Sequence, residues 1–426
     1  MSFILFLEVE CYMARVLKFF IGLLTLLSIF FIIQYQRDES SIIYLLENQY
    51  ANLELNHKDQ KREILNKIKT LSDAKGSDDL EKISNLLNQM NDGHLSIKSK
   101  VNQPVHTNGI EFYPSSEYIR KCDQCLPQLK QDKYKIIEID DVEVEKWLLQ
   151  MKWSVHASTD WGRRYRLFRS LNQEKIKMIK VKDSSNRILK IQLKSTLLET
   201  QGPQCVRSRR ISKSKVLIEL WSFWCQENES ESRKVILNRF KAQFDKAINA
   251  VNDNDQIILD LRENGGGGDD ELKYALSFFF SKKVDIYQYQ YLKKTEYGYK
   301  RSLYQFLNTT NPWAEKITES LNPGPRFLKN HLNVLIGPGC FSSCDLMASV
   351  LKDLKRAKLY GEKTHGGVGD PREYTVFDGQ HIFVVPACKV WTASGQIIEG
   401  VGIEPDILMT QDANGREDSV LEFNLN

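Results

Sequence analysis

The stretch Asn333-Val-Leu-Ile-Gly-Pro-Gly-Cys-Phe-Ser-Ser-Cys-Asp-Leu-Met-Ala-Ser-Val-Leu-Lys-Asp-Leu-Lys-Arg356 decides how the rest of the chain is read. Val334, Leu335 and Ile336 form an apolar run short enough for a buried strand. Gly337, Pro338 and Gly339 break it. Beyond the break, Leu346, Met347, Val350, Leu351 and Leu354 recur on one face of a helix. Strand, tight turn and helix therefore meet at Ser342. A serine there stands at the positive end of the helix dipole, where a hydrolase needs its nucleophile because anionic charge develops during attack. Serine is equally a preferred N-cap, so Ser342 or Ser343 also fits a plain helix start.

Outward from this elbow the chain alternates strand and helix. Val216 to Phe223 predicts a strand, Glu231 to Ala250 an amphipathic helix, Gln256 to Leu261 a buried strand and Asp269 to Phe280 a second helix. Downstream, Tyr374 to Phe377 and Ile382 to Val385 flank Asp378-Gly379, a hairpin signal. The alternation predicts an α/β domain over residues 216–426. Between its buried strand and its second helix lies Asp260-Leu-Arg-Glu-Asn264 followed by Gly265, Gly266, Gly267 and Gly268. Such glycines let the backbone approach a ligand and aim N–H groups at an anion. A phosphate loop would end in Lys-Ser/Thr, which is absent; a flexible loop is the other reading.

Residues 36–104 read as helices. Ile42 to Leu46 open one, Ile64, Ile68 and Leu71 fit another, and Leu80 to Met90 a third. The last ends at Asn91-Asp92-Gly93, a C-cap signal, before a short strand from His94 to Ile97. Residues 105–200 form a separate unit: a strand at Tyr134 to Ile139, a turn at Asp140-Asp141, a helix after Val142, and a hairpin of Ile176 to Val181 with Ile188 to Leu193. Residues 201–215, with Arg207, Arg209, Arg210, Lys213 and Lys215, read as a basic linker.

Taken together, these motifs resemble the C-terminal processing (tail-specific) serine peptidases and the tricorn-core enzymes. Asp260-Leu-Arg-Glu-Asn264-Gly-Gly-Gly is similar to their glycine signature, and Phe341-Ser342-Ser343-Cys344-Asp345 to their nucleophile motif. Gly361-Glu-Lys-Thr-His-Gly-Gly367 is similar to the loop after the nucleophile helix, and Glu399-Gly-Val-Gly-Ile-Glu-Pro-Asp406 to the closing motif. The resemblance implies a crotonase-like β/α catalytic core that cleaves peptide bonds, acting on a peptide or protein without metal or cofactor. It implies a PDZ-like insert over residues 105–200. It also implies Ser342 as nucleophile, with the N–H groups of Ser343 and Gly266 as the oxyanion hole.

One position departs from the processing peptidases. Their serine–lysine dyad places a lysine where this chain has Gly367, and Lys363 falls too early in the loop. The tricorn-like branch draws a histidine from the N-terminal segment, which His94 matches, and a glutamate near the closing motif, which Glu399 matches. A Ser342–His94–Glu399 triad is therefore expected, with activity rising as the histidine loses its proton, near pH 6.5 if unperturbed. His365 remains open as an alternative base, and Glu362 or Asp345 as an alternative orienter. A non-catalytic ligand- or peptide-binding protein on the same fold is the competing function, and a thiol enzyme using Cys340 or Cys344 a third.

The bulk numbers set the frame. With 426 residues the chain has room for two or three domains. A net charge of +4 and no basic stripe argue against nucleic-acid binding. Phe19 to Ile33 is almost wholly apolar, with Arg15 and Lys18 before it and Arg37 after it. Residues 16–35 therefore predict a single-pass signal anchor, or a cleaved signal peptide. Residues 1–15 would then be a cytosolic tail, with the bulk on the lumenal or extracellular side, or secreted. The eight cysteines include one before this segment, so a complete disulfide framework is not expected; Cys122-x-x-Cys125 alone is a weak zinc or redox signal. Asn228 and Asn308 open glycosylation sequons. Nothing in the sequence speaks to oligomeric state.

Overall fold

In the computed structural model, residues 42–421 are described apart from 56, 72–76, 101–105, 109, 115, 121–125, 127–128, 130–132, 173–175, 195, 198–202, 293–312, 378 and 411–417. Three helices come first: α1 (Ile42–Asn48), α2 (Lys58–Leu71) and α3 (Ser77–Asn88). Each is amphipathic and too short to persist alone, so each needs an apolar partner. Ile64, Leu65 and Ile68 of α2 and Ile83 and Leu87 of α3 find it against Val376, Phe383 and Val385 of a later hairpin. Asn91, at φ 52°, turns the chain out of the helical stretch. The strand β1 (Ser96–Ser99) then pairs antiparallel with His381–Pro386, Ser96 opposite Val384 and Ser99 opposite His381.

A second unit has its own core. Its strands are β2 (His106–Thr107), β3 (Tyr118–Arg120), β4 (Lys133–Ile139), β5 (Val142–Glu143), β6 (Met178–Asp183), β7 (Ile188–Gln192) and β8 (Thr196–Leu197). The helices α4 (Val144–Gln150) and α5 (Asp160–Ser170) pack on the sheet β3-β4-β6-β7, burying Trp147, Leu148, Leu167 and Phe168 against Ile136, Ile139, Ile179 and Val181. Burying each such side chain contributes roughly 1.5–3 kcal/mol. The expected turn at Asp140-Asp141 forms with both residues at positive φ, and the Asp140 carboxylate accepts the N–H groups of Lys177 and Met178.

The largest sheet is six-stranded. It contains β9 (Val206–Ser212), β10 (Lys215–Leu220), β11 (Gln256–Asp260), β14 (Leu332–Ile336), β15 (Lys358–Gly361) and β19 (Ile407–Leu408), in the order β19-β15-β14-β11-β10-β9. All neighbours are parallel except β9 and β10. Helices on the sheet make its inner strands continuous apolar runs, and all five residues of β14 are buried. α6 (Arg233–Asn249), α7 (Asp269–Ser277) and α8 (Ser343–Asp353) contribute Phe240, Phe244, Leu272, Leu276, Met347 and Leu351 to the same core. Two smaller sheets complete the unit. One joins β12 (Val284–Tyr291), β13 (Ile317–Leu321) and β18 (Cys388–Thr392); the other joins β16 (Pro371–Val376) and β17 (His381–Pro386) to β1.

Two expectations are corrected. Residues 206–212 are not linker but the antiparallel edge strand β9. Its arginines are the charged outer face of an edge: Arg207 pairs with Glu219 at 2.8 Å and Arg210 with Asp255 at 2.7 Å. The membrane-spanning segment is likewise not supported. A span needs about 20 apolar residues, and among the described residues no helix is long and apolar enough to cross a membrane. The longest, α6, has 17 residues and carries Arg233, Lys234, Arg239 and Lys241. Residues 1–41, with the expected tail and signal anchor, lie outside the described residues, as do Cys11, Cys122, Cys125 and Asn308.

Candidate active site

Ser342 occupies the junction of β14 and α8 with φ 61° and ψ −119°, a backbone state that a non-glycine residue holds only when its surroundings impose it. They do so here: the Ser342 N–H is shared between the Gly367 carbonyl and the Asp345 carboxylate, each at 2.9 Å. Asp345 also accepts the N–H groups of Gly366 and Gly367 and the Thr364 hydroxyl. Burial pushes its carboxyl up to about 7, against the pull of these donors. Below the turn, Cys340 and Cys344 form a disulfide with Cα atoms 5.2 Å apart. That removes the thiol-enzyme reading, because neither cysteine is a free thiol.

Ser342 sits where a helix cap would sit, but its Oγ lies 3.0 Å from His94 Nε2. His94 comes from the turn before β1 and is 8% exposed. Its ring stacks on Phe341, centroids 4.4 Å apart, and the residue's backbone N–H donates to Asp92 Oδ1 at 3.0 Å. Burial pulls the imidazole down to about 4, opposed by Asp92 and helped by Arg166, so the ring is neutral far below the pH 6.5 expected of an unperturbed histidine. Arg166 lies with its guanidinium carbon 4.5 Å over the Phe341 ring and donates to the carbonyls of His156 and Gly93.

Glu399 is brought to the same place but not into the expected bond. One His94 ring nitrogen and one oxygen each of Asp92 and Glu399 lie within 4.8 Å of one another, yet His94 Nδ1 is buried without a hydrogen-bond partner. Glu399 instead accepts the Val368 N–H at 2.8 Å and a hydrogen bond from the Ser158 hydroxyl. Burial and then the neighbouring Asp92 hold its carboxyl well above the usual range. Among the described residues these three are the set whose spacing would admit a metal ion. The Lys61 side chain, 3% exposed, lowers the Glu399 carboxyl against the larger rise from burial and Asp92.

The other candidates are placed elsewhere. His365 is buried behind Phe341, edge-on at 4.8 Å, with Nδ1 3.1 Å from the Pro338 carbonyl; it makes no bond to Ser342. Lys363 pairs with Glu404 at 2.7 Å and lies over Trp161. Glu362 is held up to about 7 by burial and then by Glu117. At Gly367, a Cβ would stand 2.2 Å from the Phe341 ring and 2.6 Å from Ser158 Oγ, so the room that a lysine would need there is filled by the residues that hold the histidine.

The glycine loop lies directly against the elbow. At Gly266, φ +92°, a Cβ would meet the Phe341 carbonyl at 2.6 Å, Ser342 Cβ at 2.7 Å and Ser343 N at 3.2 Å. Ser343 opens α8, where backbone N–H groups have no acceptor within the helix. The Gly266 N–H, however, donates to Asn264 Oδ1 at 2.8 Å, so it is not free as expected. Asn264 is anchored in turn by donating to the Leu220 carbonyl.

Ser158, Arg166 and Lys61 carried no motif in the sequence. Ser158 and Arg166 lie in and just before α5, a helix of the second unit that also bonds the 364–365 loop through Thr159 and Trp161. Lys61 left one legible trace: it falls in the apolar stripe of α2 with Ile64, Leu65 and Ile68, a position that solvated lysines avoid.

Residues 217–409 match peptidase family S41. The chain is 30% identical over 154 residues to a "Probable CtpA-like serine protease" of Staphylococcus aureus, a match covering 36% of this chain and 27% of that protein. Its fold is similar to that of mature CPAF, with a TM-score of 0.68, 15% identity, and 91% of this chain and 94% of the other covered. It is also similar to that of a putative peptidase from Parabacteroides merdae, with a TM-score of 0.52, 15% identity and coverage of 90% and 93%. The resemblance read from the motifs thus stands, and the mixed α/β architecture is similar to that of mature CPAF.

Proposed function

We propose that this chain, which carries a peptidase family S41 domain over residues 217–409, is a serine-type endopeptidase that cleaves peptide or protein substrates through an acyl-enzyme. The observation that carries the reading is the 3.0 Å contact between His94 Nε2 and Ser342 Oγ at a constrained elbow. His94, neutral over most of the pH range, takes the Ser342 proton as the oxygen attacks the carbonyl carbon, and later returns it to the leaving amine. Water then repeats the sequence to release the acid. The Ser343 N–H receives the developing oxyanion, joined by the Gly266 N–H once it leaves Asn264. Glu399 and Asp92 stabilise the imidazolium from behind. In this reading residues 216–426 are a crotonase-like catalytic domain, residues 36–104 a helical segment that delivers the base, and residues 105–200 a PDZ-like unit.

The test is labelling by a serine-reactive fluorophosphonate. Labelling of the intact protein that disappears in Ser342→Ala supports the enzyme. No labelling, together with tight binding of a peptide or apolar ligand, would establish the non-catalytic binding protein instead.

A further inference from the structure

Behind His94 a chain of buried polar groups runs away from the nucleophile into the N-terminal helices. The His94 backbone N–H donates to Asp92 Oδ1 at 3.0 Å. Asn52 Nδ2 donates to Asp92 Oδ2 at 2.9 Å. The Asn52 backbone carbonyl accepts from Lys61 Nζ at 2.8 Å. Asn52 and Asp92 are 0% exposed and Lys61 and Glu399 3%, so no member of the group is exposed to bulk water. The Lys61 ammonium lies 5.4 Å from the centroid of the buried Tyr50 ring, and its hydrogen bond goes to a neutral carbonyl rather than an acid.

A lysine so placed is costly unless opposite charge compensates it. The compensating charges are Asp92 and Glu399, the two carboxylates behind His94. With both carboxyls and the ammonium in their charged forms, the cluster holds one negative charge. When His94 takes the proton of Ser342, the cluster becomes neutral. Without the ammonium it would hold two negative charges in a buried space, a state relieved by binding a proton on one carboxyl. That proton would remove the charge that the imidazolium needs.

We propose that Lys61 is a positioning residue for the base, the buried cation that favours the charged form of the Glu399 carboxyl behind His94. This rests on the serine-peptidase reading above. It gives the helical segment a role in the chemistry beyond carrying His94. The direction of the electrostatics agrees. Burial lowers the Lys61 ammonium while Asp92 and Glu399 raise it, and Lys61 in turn lowers the Glu399 carboxyl against the larger rise from burial and Asp92. The other titratable groups facing the cluster are Tyr50 and Lys389 on the Lys61 side, and Arg166, Asp370, His156 and His365 on the His94 side; none is altered in the variants below.

The experiment measures the rate of fluorophosphonate labelling of Ser342 in the full chain as a function of pH, for wild type, Lys61→Met and Lys61→Arg. In Lys61→Met the acidic limb should move to higher pH by about one unit, so that labelling falls about tenfold on the limb and recovers on raising the pH. Lys61→Arg, which restores a cation, should return the limb toward wild type. On a Glu399→Gln background, Lys61→Met should no longer move the limb. That double variant, with one charge of each sign removed, also serves if Lys61→Met alone does not fold. A uniform loss of rate in Lys61→Met with an unmoved limb, or no rescue by arginine, would overturn the proposal and leave Lys61 as a packing residue. Wild type that is never labelled would sink the peptidase reading itself, and this inference with it.

Discussion

The two halves of the site are built by different means. On the nucleophile side, Ser342 is held by residues adjacent in sequence and in one loop: Cys340, Asp345, Thr364, Gly366 and Gly367. Strand, turn and helix would place it in this way in any chain with the same local pattern. On the base side, His94 owes its position to contacts from far along the chain. β1 pairs with β17, Phe341 stacks on the ring, Asp92 is held by Asn52, and Ser158 accepts the Gly93 N–H at 2.8 Å. A nucleophile can be written into a local motif because its geometry is a property of one turn. A base assembled from several units cannot, and it is correspondingly easier to dislodge.

The largest expected effect tests whether the base side is assigned correctly. His94→Ala should reduce labelling or peptide turnover by on the order of 10⁶-fold, since removing one member of a nucleophile–base unit costs about as much as removing all of it. His365→Ala should stay active, its cost falling on stability through the space left beside Phe341 and Gly162. An active His94→Ala with a dead His365→Ala would move the base into the loop after α8.

Next in size is the glycine loop. Gly266→Val should lower turnover roughly 100- to 1000-fold, the cost of one oxyanion donor, with circular dichroism near that of wild type. Its side chain would press on Ser342 Cβ and the Ser343 amide. Near-normal turnover would separate the loop from the chemistry.

A smaller effect is expected at Glu399. Because it makes no direct bond to His94 Nδ1, Glu399→Gln should cost only about tenfold, near 1.4 kcal/mol of barrier. The pH profile is the sharper readout. His94 is held down to about 4, so in wild type the acidic limb belongs to the raised Glu399 carboxyl, and activity grows as that group loses its proton. Glu399→Gln removes this titration, and the limb should retreat toward the lower value of His94. A limb that stays in place would show that Glu399 does not govern the base.

The smallest effect concerns the nucleophile side. Replacing both Cys340 and Cys344 with alanine should lower stability by about 2 kcal/mol, the chain-entropy value for so short a loop. The Asp345 hydrogen bonds would continue to hold Ser342, so turnover per folded molecule should change little. A large loss of turnover in a protein still folded at the assay temperature would mean that the elbow depends on the disulfide after all.

The sequence by itself determined most of the catalytic-side architecture. The apolar runs of β11 and β14, the breakers after them and the one-faced helices α7 and α8 follow from periodicity and turn chemistry, which are local. The hairpin of β16 and β17 and the turn at Asp140-Asp141 were legible for the same reason. Pairing Ser342 with His94 was legible only through resemblance, because nothing local links positions so far apart. Tertiary structure alone decided the rest. It made an edge strand of the basic segment at 206–212, since an arginine-rich stretch reads as solvated until a neighbouring strand supplies acids. It put Phe341 into the space where a Gly367 side chain would go, which is why that position carries no lysine. It separated Glu399 from a direct bond to His94 and set Lys61 behind the pair. Burial and long-range charge are properties of the assembled chain, and a single position in the sequence does not carry them.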